Sequence, residues 1–208
     1  MRVIATVGLP GSGKSEAAAV AAESGVPVVT MGDVIRVECR DRGLDPATHH
    51  GAVAKALRAE NGPAAIADRS LPIVEERLAG SDTDIVLIDG IRSDAEVDRF
   101  VEAFGEDFSL VHVAAPADVR AERVAARGRD TPTDAGGESL ADRDARECGF
   151  GMDEAMARAD VTIRNSDSLD VFRERVEALL RTGPEAIDDA DDTSTGDADA
   201  GDTNTSRL

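Results

Sequence analysis

The segment of this 208-residue chain best suited to chemistry is Gly8-Leu9-Pro10-Gly11-Ser12-Gly13-Lys14-Ser15. It fits the pattern GxxxxGK[ST] in full, with a short apolar run before it and an alanine-rich helical run after it. Glycines at 8, 11 and 13 let backbone N–H groups turn inward onto phosphate oxygens, and the positive end of the following helix adds to that attraction. Lys14 would bridge the outer phosphates of a nucleoside triphosphate, and the Ser15 hydroxyl would bind Mg²⁺. A nucleoside triphosphate and Mg²⁺ are therefore the expected ligands.

Asp89 closes the apolar run 85–89 and is followed directly by Gly90. A carboxylate at a strand end suits Mg²⁺, directly or through water, and equally suits a turn cap. The second acid that positions water in motor ATPases is missing after Asp89, and the chain has no NKxD guanine signal. Arg36 and Arg92 each stand just past a predicted strand end, where they would face the ligand crevice of an open α/β sheet. Their planar forks suit an acceptor's phosphate, although Arg36 is also spaced for an ion pair with Asp33. Asp33 itself suits either orienting an acceptor hydroxyl or capping a helix. Arg120, Arg123 and Arg127 share one helix face, and Arg129, Arg143 and Arg146 follow. Such a cluster resembles the arginine-bearing lid that folds over the triphosphate in nucleotide kinases and excludes water, with Arg123 and Arg127 the expected catalytic arginines and Arg143 behind them; salt bridges to Glu122, Asp142, Asp144 and Glu147 are the alternative.

Three further segments carry a resemblance. Gly32-Asp33-Val34-Ile35-Arg36 resembles the GDxxR segment of adenylate-kinase-like enzymes, and Asp89-Gly90-Ile91-Arg92-Ser93 resembles their DG(F/I)(P/R)R segment. Ala159-Asp160-Val161-Thr162-Ile163-Arg164-Asn165-Ser166-Asp167-Ser168-Leu169 is similar to the ADxxIxNxxSL ending of dephospho-coenzyme A kinases. The chain as a whole, over about residues 1–180, is most similar to an archaeal family of P-loop, AAA-type ATP-binding proteins that stands between those two. The resemblance implies that Arg36 contacts an acceptor phosphate and that Asn165 borders the adenine base. It implies phosphoryl transfer from ATP to a nucleoside monophosphate or a dephospho-coenzyme A-like acceptor. The competing reading is a nucleotide-binding regulator or weak NTPase acting through a protein partner.

These residues need a scaffold of strands that end where helices begin. Short, β-branched runs at 2–7, 26–30, 85–89, 110–114 and 161–163 suit buried parallel strands. Helical patterns at 16–23, 33–42, 94–104, 116–128 and 169–181 alternate with them, and Ser93 with Glu96 has capping-box spacing. The expected fold is α/β: a three-layer P-loop NTPase fold with a parallel sheet, a helical acceptor-side insertion at about 46–79 and a short lid at about 128–146. Residues 1–181 form the expected domain. Residues 182–208 hold eight acids and one arginine, have too few apolar residues to repay chain ordering, and should be a disordered acidic tail.

The formal charge of -19, with 42 acidic against 23 basic residues, leaves no basic footprint for nucleic acid. Lys14 and Lys55 are the only lysines, and a surface so acidic suits concentrated salt, which screens its self-repulsion. Cys39 and Cys148 form no CxxC pair, the three histidines lack metal-ligand company, and no apolar run approaches membrane-spanning length. A halophilic, cytoplasmic protein without a membrane partner is expected.

Overall fold

The protein is described here by a computed structural model that covers residues 1–126 and 139–187. Five strands form one parallel sheet: β1 (Arg2–Val7), β2 (Val28–Thr30), β3 (Ile85–Asp89), β4 (Phe108–Ala114) and β5 (Val161–Arg164). Their order across the sheet is β2-β3-β1-β4-β5. The helices are α1 (Lys14–Glu23), α2 (Met31–Asp41), α3 (Pro46–Asn61), α4 (Ala65–Gly80), α5 (Asp94–Phe104), α6 (Ala117–Ala126), α7 (Leu140–Cys148), α8 (Met152–Ala157) and α9 (Leu169–Thr182).

The central strands are apolar on both faces, as a sheet covered by helices on both sides requires. Val3, Ala5 and Val7 of β1 join Val86, Ile88 and Leu110 in a core shared with α2 to α5 and α8. Ile4, Leu87, Val111, Val113 and Ile163 point the other way, onto α1 and α9. In that first core Phe100 stacks between Phe104 and Phe108, with centroids 6.5 and 6.0 Å away. The chain leaves β1 toward β2 and leaves β3 toward β4, so the connections from these two adjacent strands depart in opposite directions. That divergence opens a crevice at their C-terminal ends, where the loops after Val7 and Asp89 face each other.

The parallel α/β architecture is the one expected, and the differences lie at element ends. Val26 belongs to the exit of α1 and not to β2, because its N–H closes that helix by donating to the Ala21 carbonyl at 2.9 Å. Helix α2 starts at Met31, directly on the end of β2. Ser93 accepts from the Glu96 N–H, but the Glu96 carboxylate turns to the Arg92 N–H at 2.8 Å, so α5 has half a capping box. The full reciprocal box forms instead at Ser139 and Asp142, where α7 begins. Helix α8 is an addition to the expected elements: six residues, too short for its periodicity to register in sequence. The insertion is the helix pair α3 and α4, broken at Gly62. Most of the expected lid, with Arg127 and Arg129, and the end of the tail lie outside the described residues.

Candidate active site

The glycine-rich loop leaves β1 and enters α1 under tight confinement. Gly11 has φ of 82° and Gly13 of 118°, a region that favours glycine. A Cβ at Gly11 would lie 2.9 Å from the Arg120 carbonyl oxygen, and one at Gly13 would lie 2.2 Å from Asn165 Nδ2. The loop is thus wedged between α6 on one side and the turn after β5 on the other. At the start of α1, Gly13 supplies no capping side chain, and the first-turn amides of Lys14 and Ser15 have no acceptor within the helix. The buried Ser12 hydroxyl also lacks a partner. Uncapped amides with a helix dipole behind them suit an anion with several oxygens, which is the fit a polyphosphate needs.

The Lys14 ammonium folds back onto the loop, donating to the Gly8 carbonyl at 2.5 Å and the Leu9 carbonyl at 3.3 Å. Burial pushes its pKa down to about 8, against the pull of Asp89, which raises it; Arg92 lowers it further. Asp89 stands opposite Thr6 across the β1–β3 register and accepts from its hydroxyl at 3.3 Å. Gly8, Pro10, Gly11, Lys14, Ser15, Asp89 and Arg92 all line one cleft of about 270 Å³, and Arg143 and Glu147 of α7 complete its wall. Phosphate-loop, metal-site and acceptor-side residues picked from sequence therefore converge.

Other predicted residues stand outside this cleft. Asp33 and Arg36 pair with each other on the exposed surface of α2. Arg123 donates to the Asn165 carbonyl at 3.1 Å and to its Oδ1 at 3.0 Å. Asn165 in turn donates to the Ser12 carbonyl at 2.8 Å, so both residues brace the loop from behind. Leu9 packs on the core. Arg127 lies outside the described residues.

For three groups named from the sequence, the structure shows a role that sequence reasoning did not give them. Arg120, which is buried, forks onto Asp144 at 2.9 and 2.7 Å while donating to the Pro10 carbonyl at 3.0 Å, tying α6, α7 and the phosphate loop together. Glu147 is buried and holds Arg92 Nη1 with both oxygens at 2.5 Å. Glu96 is fully buried and anchors both the Arg92 backbone and the Arg58 guanidinium, the latter at 2.8 Å. Arg120 was visible as one of the arginines sharing a face with Arg123, Glu96 by its capping-box spacing and Glu147 as a possible ion-pair partner, but nothing local marked their burial or the partners they hold.

Comparison with known proteins places this geometry. An AAA domain model matches residues 7–140. A UPF0200 protein of Halobacterium salinarum is 62% identical over 180 residues, covering 86% of this chain and 93% of its own. A UPF0200 protein of Methanothrix thermoacetophila is 47% identical over 183 residues, covering 86% and 97%. The chain belongs to the UPF0200 family. Among solved structures, a shikimate kinase from Acinetobacter baumannii superposes with a TM-score of 0.52 at 16% identity over 87% of this chain and 92% of its own. A gluconokinase from Sinorhizobium meliloti gives 0.53 at 17% identity over 93% and 97%. At such identities the likeness shows the fold alone, and that fold is the P-loop kinase-like one. This UPF0200 member thus has a P-loop kinase-like fold with a complete phosphate loop. Among the described residues no group of three or more His, Cys, Asp or Glu side chains is placed to hold a metal unaided. No described helix is long and apolar enough to cross a membrane.

Proposed function

We propose that the protein is a Mg²⁺-dependent phosphotransferase that moves the terminal phosphoryl group of ATP to a small nucleotide or nucleotide-like acceptor, of the nucleoside monophosphate or dephospho-coenzyme A kind. The observation that carries this reading is the convergence on one cleft of the uncapped loop amides, Lys14, Ser15, Asp89 and the guanidinium of Arg92. Lys14 and the amides would hold the phosphates. Ser15 and Asp89 supply one or two oxygens, the usual protein share for Mg²⁺ beside substrate phosphates, where the ion neutralises charge on the moving group. Arg92 and Arg143 stand across the cleft, on the side from which an acceptor would approach. Phosphoryl transfer asks for positioning and cations more than for covalent help, and this cleft offers both. That solved proteins of this fold include kinases named for shikimate and gluconate supports a small-molecule acceptor.

A second reading, a regulator or slow NTPase working through a protein partner, has its own support: Arg36 is engaged by Asp33 and Arg92 by Glu147. ADP release from ATP and Mg²⁺ at high salt separates the two. With nucleoside monophosphates and dephospho-coenzyme A supplied in turn, release should depend on the acceptor; slow hydrolysis indifferent to every acceptor would establish the second reading.

A further inference from the structure

We infer that Phe150 is a stacking platform for a planar ring of the acceptor, which makes the acceptor a molecule bearing a nucleobase. The inference rests on the phosphotransfer reading above and names the residue that would hold the acceptor's base.

The chain has five phenylalanines and no Trp or Tyr. Phe100, Phe108 and Phe172 are buried, and Phe104 packs on the core. Phe150 is 46% exposed. A chain this sparing with aromatics that leaves one ring in water does so at a particular place: the turn Gly149-Phe150-Gly151 between α7 and α8, three residues after Glu147 and two before Met152, both of which line the cleft. The turn is pinned against the start of α5, since a Cβ on Gly151, at φ 93°, would lie 3.2 Å from Asp94 Oδ1.

One face of the ring is already dressed. The Arg58 guanidinium, from the last turn of α3, lies 6.0 Å from the ring centroid. Arg58 is held there by the fully buried Glu96, whose second oxygen fixes the backbone of the cleft residue Arg92. A buried carboxylate is costly unless it is paired and hydrogen-bonded, as Glu96 is to Arg58 and to the Arg92 N–H. Here it locks, in one network, a cleft arginine and a cation over an exposed ring, and so joins the helical insertion to the acceptor side of the cleft. The ring is exposed enough to take a partner, and a base stacking on it opposite Arg58 would give an Arg58–Phe150–base sandwich of the kind that binds bases without regard to their hydrogen-bonding edges. The loop itself already accounts for the triphosphate, and Asn165, bound to Ser12, sits behind it. That leaves the insertion side for the second substrate.

The absence of other indole or phenol groups makes F150W a single fluorescent reporter. The phosphate loop is first filled with Mg²⁺ and inorganic tripolyphosphate, which has no base, and its binding is checked by calorimetry against Lys14→Ala. AMP, GMP, CMP and UMP are then titrated, with ribose 5-phosphate as the base-free control. Saturable quenching by at least one of the four nucleotides and none by the sugar phosphate is expected, and F150L should bind that nucleotide about tenfold or more weakly. Three results overturn the proposal: no quenching by any of the four, unchanged affinity in folded F150L, or full quenching by an unreactive ATP analogue alone, which would give the platform to the donor. Quenching by a captured protein but by no nucleotide would likewise refute it and make the ring a docking point. Loss of tripolyphosphate binding, by contrast, would strike the phosphotransfer reading and not this one.

Discussion

Lys14 sits in a cleft built for an anion, and without one its charge is a burden. Burial takes its pKa from 10.5 to about 8. That displacement of about 2.5 pH units, at 1.36 kcal/mol per unit, amounts to about 3 kcal/mol of folding free energy. Below pH 8 the ammonium is protonated in both folded and unfolded chains, so the full cost of burying it is present. Between pH 8 and 10.5 the folded protein sheds the proton while the unfolded chain keeps it, and stability rises with pH. Above 10.5 both are neutral and the contribution is flat. Lys14→Met removes this dependence, and although it strips the Gly8 and Leu9 carbonyls of their donor, that loss does not vary with pH. The difference in unfolding free energy, mutant minus wild type, should therefore be largest near pH 7 and shrink by about 3 kcal/mol by pH 10.5. Urea unfolding followed by circular dichroism in concentrated KCl measures it. A difference constant across that range would refute the claim that the ammonium is held at a loss awaiting phosphate. Binding carries the reciprocal sign: a bound polyphosphate keeps Lys14 protonated, so affinity should weaken by up to tenfold per pH unit above 8.

Two other perturbations act on the arginines around the loop. Asp144→Ala leaves the buried Arg120 with the Pro10 carbonyl as its remaining described partner and should cost about 3 kcal/mol in urea unfolding; an unchanged midpoint would show that α6 and the loop do not depend on this bridge. Glu147→Gln removes a negative charge from the cleft wall and loosens Arg92, so calorimetry should find Mg²⁺-tripolyphosphate bound about fivefold more tightly. Weaker binding would mean that Glu147 holds Arg92 in its binding pose and does not compete with the ligand.

Much of this architecture was legible before any coordinates. The strands declared themselves because a parallel sheet buried on both faces needs unbroken apolar runs, as at 85–89, and the loop because its glycines and lysine keep a fixed spacing. Ser15 could be placed in the cleft from the loop motif at the start of α1, and Asp89 and Arg92 from their positions at and just past the end of β3. The bracing shell could not. Asn165 and Arg123 meet only because β5 pairs with β4 and brings the turn after Arg164 against the back of the loop, a contact between residues 42 positions apart. The burial of Glu147 and Glu96 was hidden for a compositional reason: among 42 acids, two buried ones look like the rest until burial is known. Arg36 shows the converse, since its spacing from Asp33 allowed either a clamp or an ion pair, and the pair is what α2 displays.

The charge pattern around the cleft gives this composition a functional sense. In a chain of net charge -19, an uncommitted arginine is soon occupied by some carboxylate. Arg92 is held by Glu147 and Arg120 by Asp144, whereas Lys14 is held by two carbonyls. A phosphate reaching Arg92 must displace a carboxylate, and that exchange of one anion for another gains little by charge alone. A phosphate reaching Lys14 replaces neutral dipoles and relieves a buried ammonium, which gains a great deal. Concentrated salt would screen the exposed pairs of the surface while leaving the enclosed Lys14 largely untouched. On the phosphotransfer reading, affinity would therefore reside in the loop and Lys14. Selectivity would reside in Arg92, which would yield Glu147 only to a ligand that offers better geometry than the carboxylate it already holds.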